Sequence, residues 1–298
     1  MRECASRISL SKMNATNSLV RDISDTARWV AYFRARETER ADALFKDPYA
    51  KLLAGKRGFE IANTLPAGNT NEWAWTARTY LFDQFLAREI NDGADVVLNL
   101  AAGLDARPYR MEVPDRLRWI EVDLPEIIAY KDSLLSEEKP RCNLERITLD
   151  LTDQESRRDL FNKVNAYGTK VVVITEGLLI YLTNDEVASL ARDLAARPRF
   201  QSWLIDLASP GQLKLMQRTS GKQLSTAGAP FKFGPPEGPK FFAPYGWEPR
   251  DVQGMLNTAA RFDRLPQELL SLLNTPNAIP GSYLWTGVCL LHRSGIHS

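Results

Sequence analysis

The sequence predicts an α/β protein built on a doubly wound, mostly parallel sheet, and three observations carry that prediction. From Val96 onward, short β-branched runs at 96–101, 117–122, 146–150, 170–175 and 201–207 alternate with amphipathic stretches. Strands that alternate with helices form a parallel sheet covered on both faces. The first run, Val96-Val97-Leu98-Asn99-Leu100, stops at Ala101-Ala102-Gly103, small residues that let a ligand approach the backbone at a strand's carboxyl end. The second run ends at Asp123, the place for an acidic residue that grips ribose hydroxyls about twenty positions after such a turn.

The remaining elements follow in chain order. Residues 1–17 are polar and read as a flexible lead, with order beginning near Ser18. A helix is expected from Ser24, capped by Ser24 or Asp25, with Ala27, Val30, Ala31 and Arg34 at helical spacing. Pro48 suits the first turn of a short helix through Ala54, residues 55–71 read as a loop, and 72–91 as a third helix. Residues 18–92 would thus form a helical cap on a single domain spanning 18–298. Residues 209–246, with Pro210, Pro230, Pro235, Pro236, Pro239 and Pro244, interrupt the strand–helix rhythm and read as an insertion or lid. A helical stretch at 249–260 and strands near 261–265 and 283–292 would close the chain, the last two as an antiparallel hairpin at one sheet edge.

Composition narrows the function classes. The 298 residues are 44% hydrophobic and 25% charged, an ordinary globular balance. A net charge of +1 offers no electrostatic case for a nucleic-acid or membrane partner. Cys4, Cys142 and Cys289 are scattered and show neither zinc-site nor disulfide spacing, so no metal and a cytoplasmic location are expected. Met1–Asn17 lacks the apolar core of a signal peptide, and no window has the roughly eighteen apolar residues of a membrane helix.

Candidate site residues lie where parallel strands end. Besides the 101–103 turn and Asp123, the third run leads into Asp150-Leu151-Thr152-Asp153, where a carboxylate beside a backbone N–H suits an adenine edge. The fourth run leads into Glu176, placed to touch cofactor or substrate, followed by Gly177-Leu178-Leu179-Ile180-Tyr181-Leu182 as an apolar wall. Each feature also has a plain structural reading: an ordinary strand–helix connection for the turn, a helix N-cap for Asp123, buried core for the leucines. A nicotinamide dehydrogenase would share the turn and the ribose acid, but its Gly-x-Gly-x-x-Gly fingerprint is absent.

Together these segments, with Arg34-Ala35-Arg36-Glu37-Thr38-Glu39-Arg40, Leu44-Phe45-Lys46-Asp47-Pro48-Tyr49, Thr76-Ala77-Arg78-Thr79 and Glu121-Val122-Asp123-Leu124-Pro125, carry a family likeness over about residues 20 to 292. The chain resembles the leucine carboxyl methyltransferase-like family of class I S-adenosylmethionine-dependent methyltransferases, in its bacterial polyketide-type O-methyltransferase branch. The resemblance implies a Rossmann-like fold, S-adenosyl-L-methionine as methyl donor and S-adenosyl-L-homocysteine as product. It implies that Arg78, assisted by Arg34, binds the methionine carboxylate, that Ala101, Ala102 and Gly103 pass beneath it, and that Asp123 holds the ribose. Asp150 and Leu151 would frame the adenine, and Glu176 would lie near the methionine amino group. The chain departs from the family at Ala101, where the pattern reads Gly-Ala-Gly. Alanine costs little there if φ is negative and about a kcal/mol or more if it is positive.

The only histidines, His292 and His297, are far in sequence from every motif, so no general base is expected. That favours a small-molecule carboxylate acceptor, already ionised at neutral pH because its pKa is near ~4. Tyr181, Tyr245, Arg78 and Arg107 are candidates for orienting the acceptor, although Arg107 reads first as a surface salt-bridging residue. Phe231, Phe233, Phe241, Phe242, Tyr245 and Trp247 would either line a lid or pack a connection, and Trp73 and Trp75 would face them across the pocket. A catalytically impaired cofactor-binding protein and a protein C-terminal carboxyl methyltransferase stand as alternatives.

Overall fold

The computed structural model describes residues 23–64, 71–219, 221, 225, 229–274 and 284–295. The expected lead at 1–17, the onset of order near Ser18, Cys4 and His297 lie outside the described residues. Seven strands form one sheet: β1 Val96–Leu100, β2 Arg118–Asp123, β3 Asn143–Thr148, β4 Val171–Thr175, β5 Phe200–Ala208, β6 Trp247–Gly254 and β7 Thr286–Arg293. Their order is β3-β2-β1-β4-β5-β7-β6. β7 runs antiparallel to β5 and β6, and every pair from β3 through β5 is parallel. The fold is the expected Rossmann-like one.

β1 and β4 are buried at every position, which is why both read as continuous apolar runs rather than alternating ones. Their alternate residues feed two cores. Leu98, Leu100, Val173 and Ile205 pack with Leu160, Phe161 and Leu190 of the helices Gln154–Asn165 and Asn184–Ala195. On the other face Val97, Val172, Ile174 and Leu204 meet Leu81, Phe82, Phe85 and Leu86 of the helix Glu72–Asn91. Among the described residues, the helices Ile23–Glu39, Ala50–Thr64 and Glu72–Asn91 precede the sheet. The first two are joined by the ion pair Arg57–Asp25 at 2.9 Å. No helix among the described residues is long and apolar enough to cross a membrane.

Several boundaries differ from the sequence reading. The second helix continues through Thr64, with its break at Gly55 (φ 57°), so most of the expected loop at 55–71 is helical. β3 begins at Asn143 rather than 146, because its ladder with β2 runs from Asn143 opposite Arg118 to Thr148 opposite Asp123. Its residues are exposed or only partly buried, and it carries the charges Glu145 and Arg146, so hydrophobic periodicity misplaces it. The expected helix at 249–260 is β6 up to Gly254, and only Met255–Arg261 is helical. Pro249 is tolerated because β6 is an edge strand with a register shift between Pro249 and Asp251. Residues 261–265 are not a strand but the end of that helix and the turn after it. The antiparallel edge pair is therefore β6 with β7, and β7 sits inside, between β5 and β6.

Segment 209–246 holds the helix Pro210–Thr219 and a 3-10 stretch Gly238–Tyr245. Phe242 and neighbouring Trp247 are fully buried and stack edge-on against Trp203 at 5.2 and 5.5 Å, so this part is packed core.

A buried ion pair supports β2 from below. Lys131 Nζ lies 2.7 Å from Glu121 Oε1, and neither side chain is exposed. Arg146 takes the other carboxylate oxygen at 2.8 Å. Glu121→Gln would leave Lys131 charged and buried without its partner, so chemical unfolding is expected to show a loss of about 3 kcal/mol. A loss under about 1 kcal/mol would contradict this assignment.

Candidate functional site

The order β3-β2-β1-β4-β5 reverses direction about β1, and open α/β sheets bind ligands in the crevice at such a reversal, beyond the strands' carboxyl ends. A cavity of about 520 Å³ lies there. It is lined by Arg34, Arg78, Ala101, Ala102, Gly103, Arg107, Asp123, Asp150, Leu151, Glu176 and Tyr181. Every sequence-derived site residue is thus brought to one place except Tyr245, which is not among the lining residues. Tyr245 packs on Phe241 at 5.4 Å with the Arg192 guanidinium over its ring.

The turn after β1 is held tightly. The Ala102 N–H donates to Val122 O at 3.1 Å, fastening the turn to the end of β2. Asp123 then accepts from the Gly103 N–H at 2.6 Å and the Leu124 N–H at 2.7 Å. Burial pushes the Asp123 carboxyl above its ordinary range, against these two hydrogen bonds. Both Ala101 and Gly103 have φ of 53°, in the left-handed region. Glycine enters this region freely, whereas alanine brings Cβ too close to its own following carbonyl.

Beyond the turn, charges form a chain across the chamber. Arg107 reaches Asp83 at 2.6 Å, Asp105 at 2.9 Å and Glu176 at 2.8 Å. Arg78 takes the other oxygen of Glu176 at 3.1 Å and Asp206 at 3.3 Å, and its guanidinium lies 4.7 Å above the Trp75 ring centre. Arg110 joins Asp83 at 2.7 Å to Asp47, which Arg34 holds at 2.8 Å. Although burial alone would raise it, the neighbouring Arg107 holds the Asp105 carboxyl down to about 2. Asn99 also donates to Asp105, at 2.9 Å.

These contacts correct one expectation and refine another. Arg107 makes no surface salt bridge: it is 2% exposed and bound to three acids. Arg34 lines the cavity, but its guanidinium is engaged with Asp47 and the Leu104 carbonyl, so it braces the exit of the turn. Asp150 accepts from the Thr152 N–H and hydroxyl at 2.9 and 2.7 Å, shaping the rim after β3.

The rest of the lining is largely aromatic and aliphatic, including Trp29, Trp73, Trp75, Ile180, Met216 and Phe231. Trp29 contacts Trp75 at 5.6 Å, and Tyr181 contacts Phe231 at the same separation. Burial pushes the Tyr181 phenol above its ordinary value, which keeps it protonated at neutral pH. His292 pairs with Ser202, near the start of β5, at the opposite end of the sheet from the cavity. Among the described residues no cluster of His, Cys, Asp and Glu could hold a metal ion.

Asp206 and Asp83 escaped the sequence reading. Asp206 had a usable signal, as the one charged residue in the apolar run Trp203-Leu204-Ile205-Asp206-Leu207-Ala208 at a strand's carboxyl end. Asp83 had none, since one acid in an amphipathic helix looks like a solvated surface residue.

Residues 27–195 match the family model described as leucine carboxyl methyltransferase. A Frankia alni protein is 36% identical over 184 residues, 57% of this chain and 63% of its own length. A Streptomyces avermitilis protein is 35% identical over 184 residues, 58% of this chain and 64% of its own length. Both are provisionally named S-adenosyl-L-methionine-dependent methyltransferases, and the match covers less than two thirds of either. In fold the chain is similar to a crystal structure of a duf574 family protein from Streptomyces avermitilis, with TM-score 0.59 and 12% identity over 90% of this chain and 97% of that one. It is also similar to a Thermobifida fusca structure provisionally named a methyltransferase, with TM-score 0.57 and 16% identity over 90% and 94%.

The left-handed conformation at Ala101 generates a direct test. Ala101→Gly is expected to stabilise the protein by roughly 0.5–1 kcal/mol, the strain released less the entropy glycine adds to the unfolded chain. Thermal unfolding would register this as a rise in Tm, and a fall would show that the turn does not strain alanine.

Proposed function

The chain belongs to the leucine carboxyl methyltransferase family, and from that premise we propose that it methylates an oxygen of a small-molecule acceptor, a carboxylate in the first place, using S-adenosyl-L-methionine. One observation carries the reading: Asp123, Glu176 and Arg78, drawn from three separate elements, line the same cavity as the Ala101–Gly103 turn.

The residues fit the donor chemically. Six carboxylates line the cavity, Asp105, Asp123, Asp150, Glu176, Glu186 and Asp206, against four arginines, Arg34, Arg78, Arg107 and Arg157. An excess of acid suits a ligand of net positive charge. In this reading Asp123, at the end of β2, takes two ribose hydroxyls, Asp150 and Leu151 the adenine, and Arg78 with Glu176 the carboxylate and ammonium of the methionine part. Gly177 leaves space that this arrangement needs: a Cβ there would stand 3.2 Å from Arg78 Nη1. When bound, the sulfonium supplies an electrophilic methyl group, whose bond to sulfur breaks with the electron pair remaining on sulfur.

What the chain's own residues contribute is alignment and the exclusion of water. A carboxylate acceptor has no proton to lose, which agrees with a protonated Tyr181 and a distant His292. The aromatic wall of Trp29, Trp75, Tyr181 and Phe231 suits a partly apolar acceptor, and Tyr181 is the candidate left to orient it, because the Arg107 guanidinium is taken up by three acids. Ala101 adopts the conformation a glycine would take, so the turn keeps its shape. This weakens the motive for a catalytically impaired reading.

Calorimetric titration with S-adenosylmethionine and S-adenosylhomocysteine, followed by transfer of labelled methyl to a panel of carboxylic acids and alcohols, tests the proposal. Binding of neither ligand would overturn it, and labelling of alcohols alone would overturn the carboxylate preference. Asp123→Ala removes an acceptor for two hydrogen bonds and is expected to weaken S-adenosylhomocysteine binding by about 2 kcal/mol, roughly 30-fold. An unchanged Kd would remove Asp123 from the ribose.

A further inference from the structure

The charge chain across the cavity does not balance. Five carboxylates, Asp47, Asp83, Asp105, Glu176 and Asp206, are linked to four guanidiniums, Arg34, Arg78, Arg107 and Arg110. Asp47, Asp83 and Glu176 each contact two arginines, and Asp105 has Arg107 and the Asn99 amide. Asp206 ends the chain. Among the described residues its ion-pair partner is Arg78 at 3.3 Å, and Arg78 is shared with Glu176. Its other oxygen accepts the Gly177 N–H at 2.7 Å.

Resting on the methyl-donor reading above, we propose that Asp206 is a specificity-determining residue that favours the cationic donor over its neutral product. The two ligands share adenine, ribose, ammonium and carboxylate, and differ by the methyl group and by the positive charge on sulfur. Groups that touch only the shared parts cannot tell them apart. Discrimination needs a negative potential at the sulfur, which acts differently on sulfonium and thioether, and a carboxylate that the fold neutralises only in part contributes to it. Asp206 supplies it: it lines the cavity, stands at the carboxyl end of β5 and owns no guanidinium outright. Burial pushes its carboxyl above the ordinary range, against the pull of Arg78, as expected of a charge that a bound cation would relieve. The consequence is that spent product binds less tightly than fresh donor and leaves more readily.

Asp206→Asn tests this, since the amide oxygen can still accept from Gly177 while the negative charge is gone. Calorimetry on the full chain with each ligand should show the ratio of Kd for S-adenosylhomocysteine to Kd for S-adenosylmethionine falling about tenfold, the effect of one nearby charge at intermediate dielectric. Asp206→Glu should retain most of the preference. Equal weakening of both ligands in Asp206→Asn would overturn the proposal and leave Asp206 a structural brace for Arg78, and an unchanged ratio with unchanged affinities would overturn it equally. Asp206→Ser, which also keeps an acceptor, replaces the asparagine variant if that variant does not fold. Failure of the wild-type chain to bind either ligand would instead overturn the methyl-donor reading itself, so the two failures are distinguishable.

Discussion

A guanidinium buried to 2% exposure needs acids around it, and Arg107 has three. That requirement organises the molecule. Asp83 comes from the helix Glu72–Asn91, Asp105 from the turn after β1 and Glu176 from the end of β4, so one side chain ties that helix to two strand ends. Arg78 repeats the device one helical turn and a half earlier, adding β5 through Asp206. The helix Glu72–Asn91 is thereby fastened to the mouth of the cavity by charge as well as by the apolar packing of Phe82, Phe85 and Leu86 on the sheet.

Such a network adds little net stability, because desolvating the ions costs about as much as their attraction returns. It does enforce geometry. With both oxygens of Glu176 held by different arginines, the carboxylate cannot rotate, and the turn at Gly177 follows its position. Asp123 is fixed by another means, two backbone N–H groups, and among the described residues no guanidinium contacts it directly. The site thus contains acids of two kinds, some neutralised within the fold and some open to a ligand. A chain with a net charge of only +1 thus presents a cavity in which carboxylates outnumber guanidiniums.

Much of this was legible in the sequence wherever one physical signal dominated. β1, β4 and β5 are buried, so their apolar runs stand out, and the abrupt stop at Ala101 marks the ligand-facing end of β1. Asp123 and Glu176 were visible because they follow such runs directly. β3 and β6 were misplaced because edge strands bury little and carry charges that obey no hydrophobic period: Glu145 and Arg146 in one, Glu248, Arg250 and Asp251 in the other. Arg107 was read as a surface residue for the same reason. Nothing local distinguishes a solvated arginine from a buried one whose partners lie 24 and 69 positions away, at Asp83 and Glu176.

By itself, then, the sequence determined the strand–helix alternation, the strand ends and the acids attached to them, because each depends on burial and turn chemistry within a few residues. Only the tertiary structure decided which charges neutralise one another, that Tyr245 stands apart from the cavity while Asp206 lines it, and that Ala101 takes a left-handed conformation. Ion pairing acts through space between distant segments. A backbone angle at a turn is likewise set by what holds its two ends, here the Val122 carbonyl and the Asp123 carboxylate.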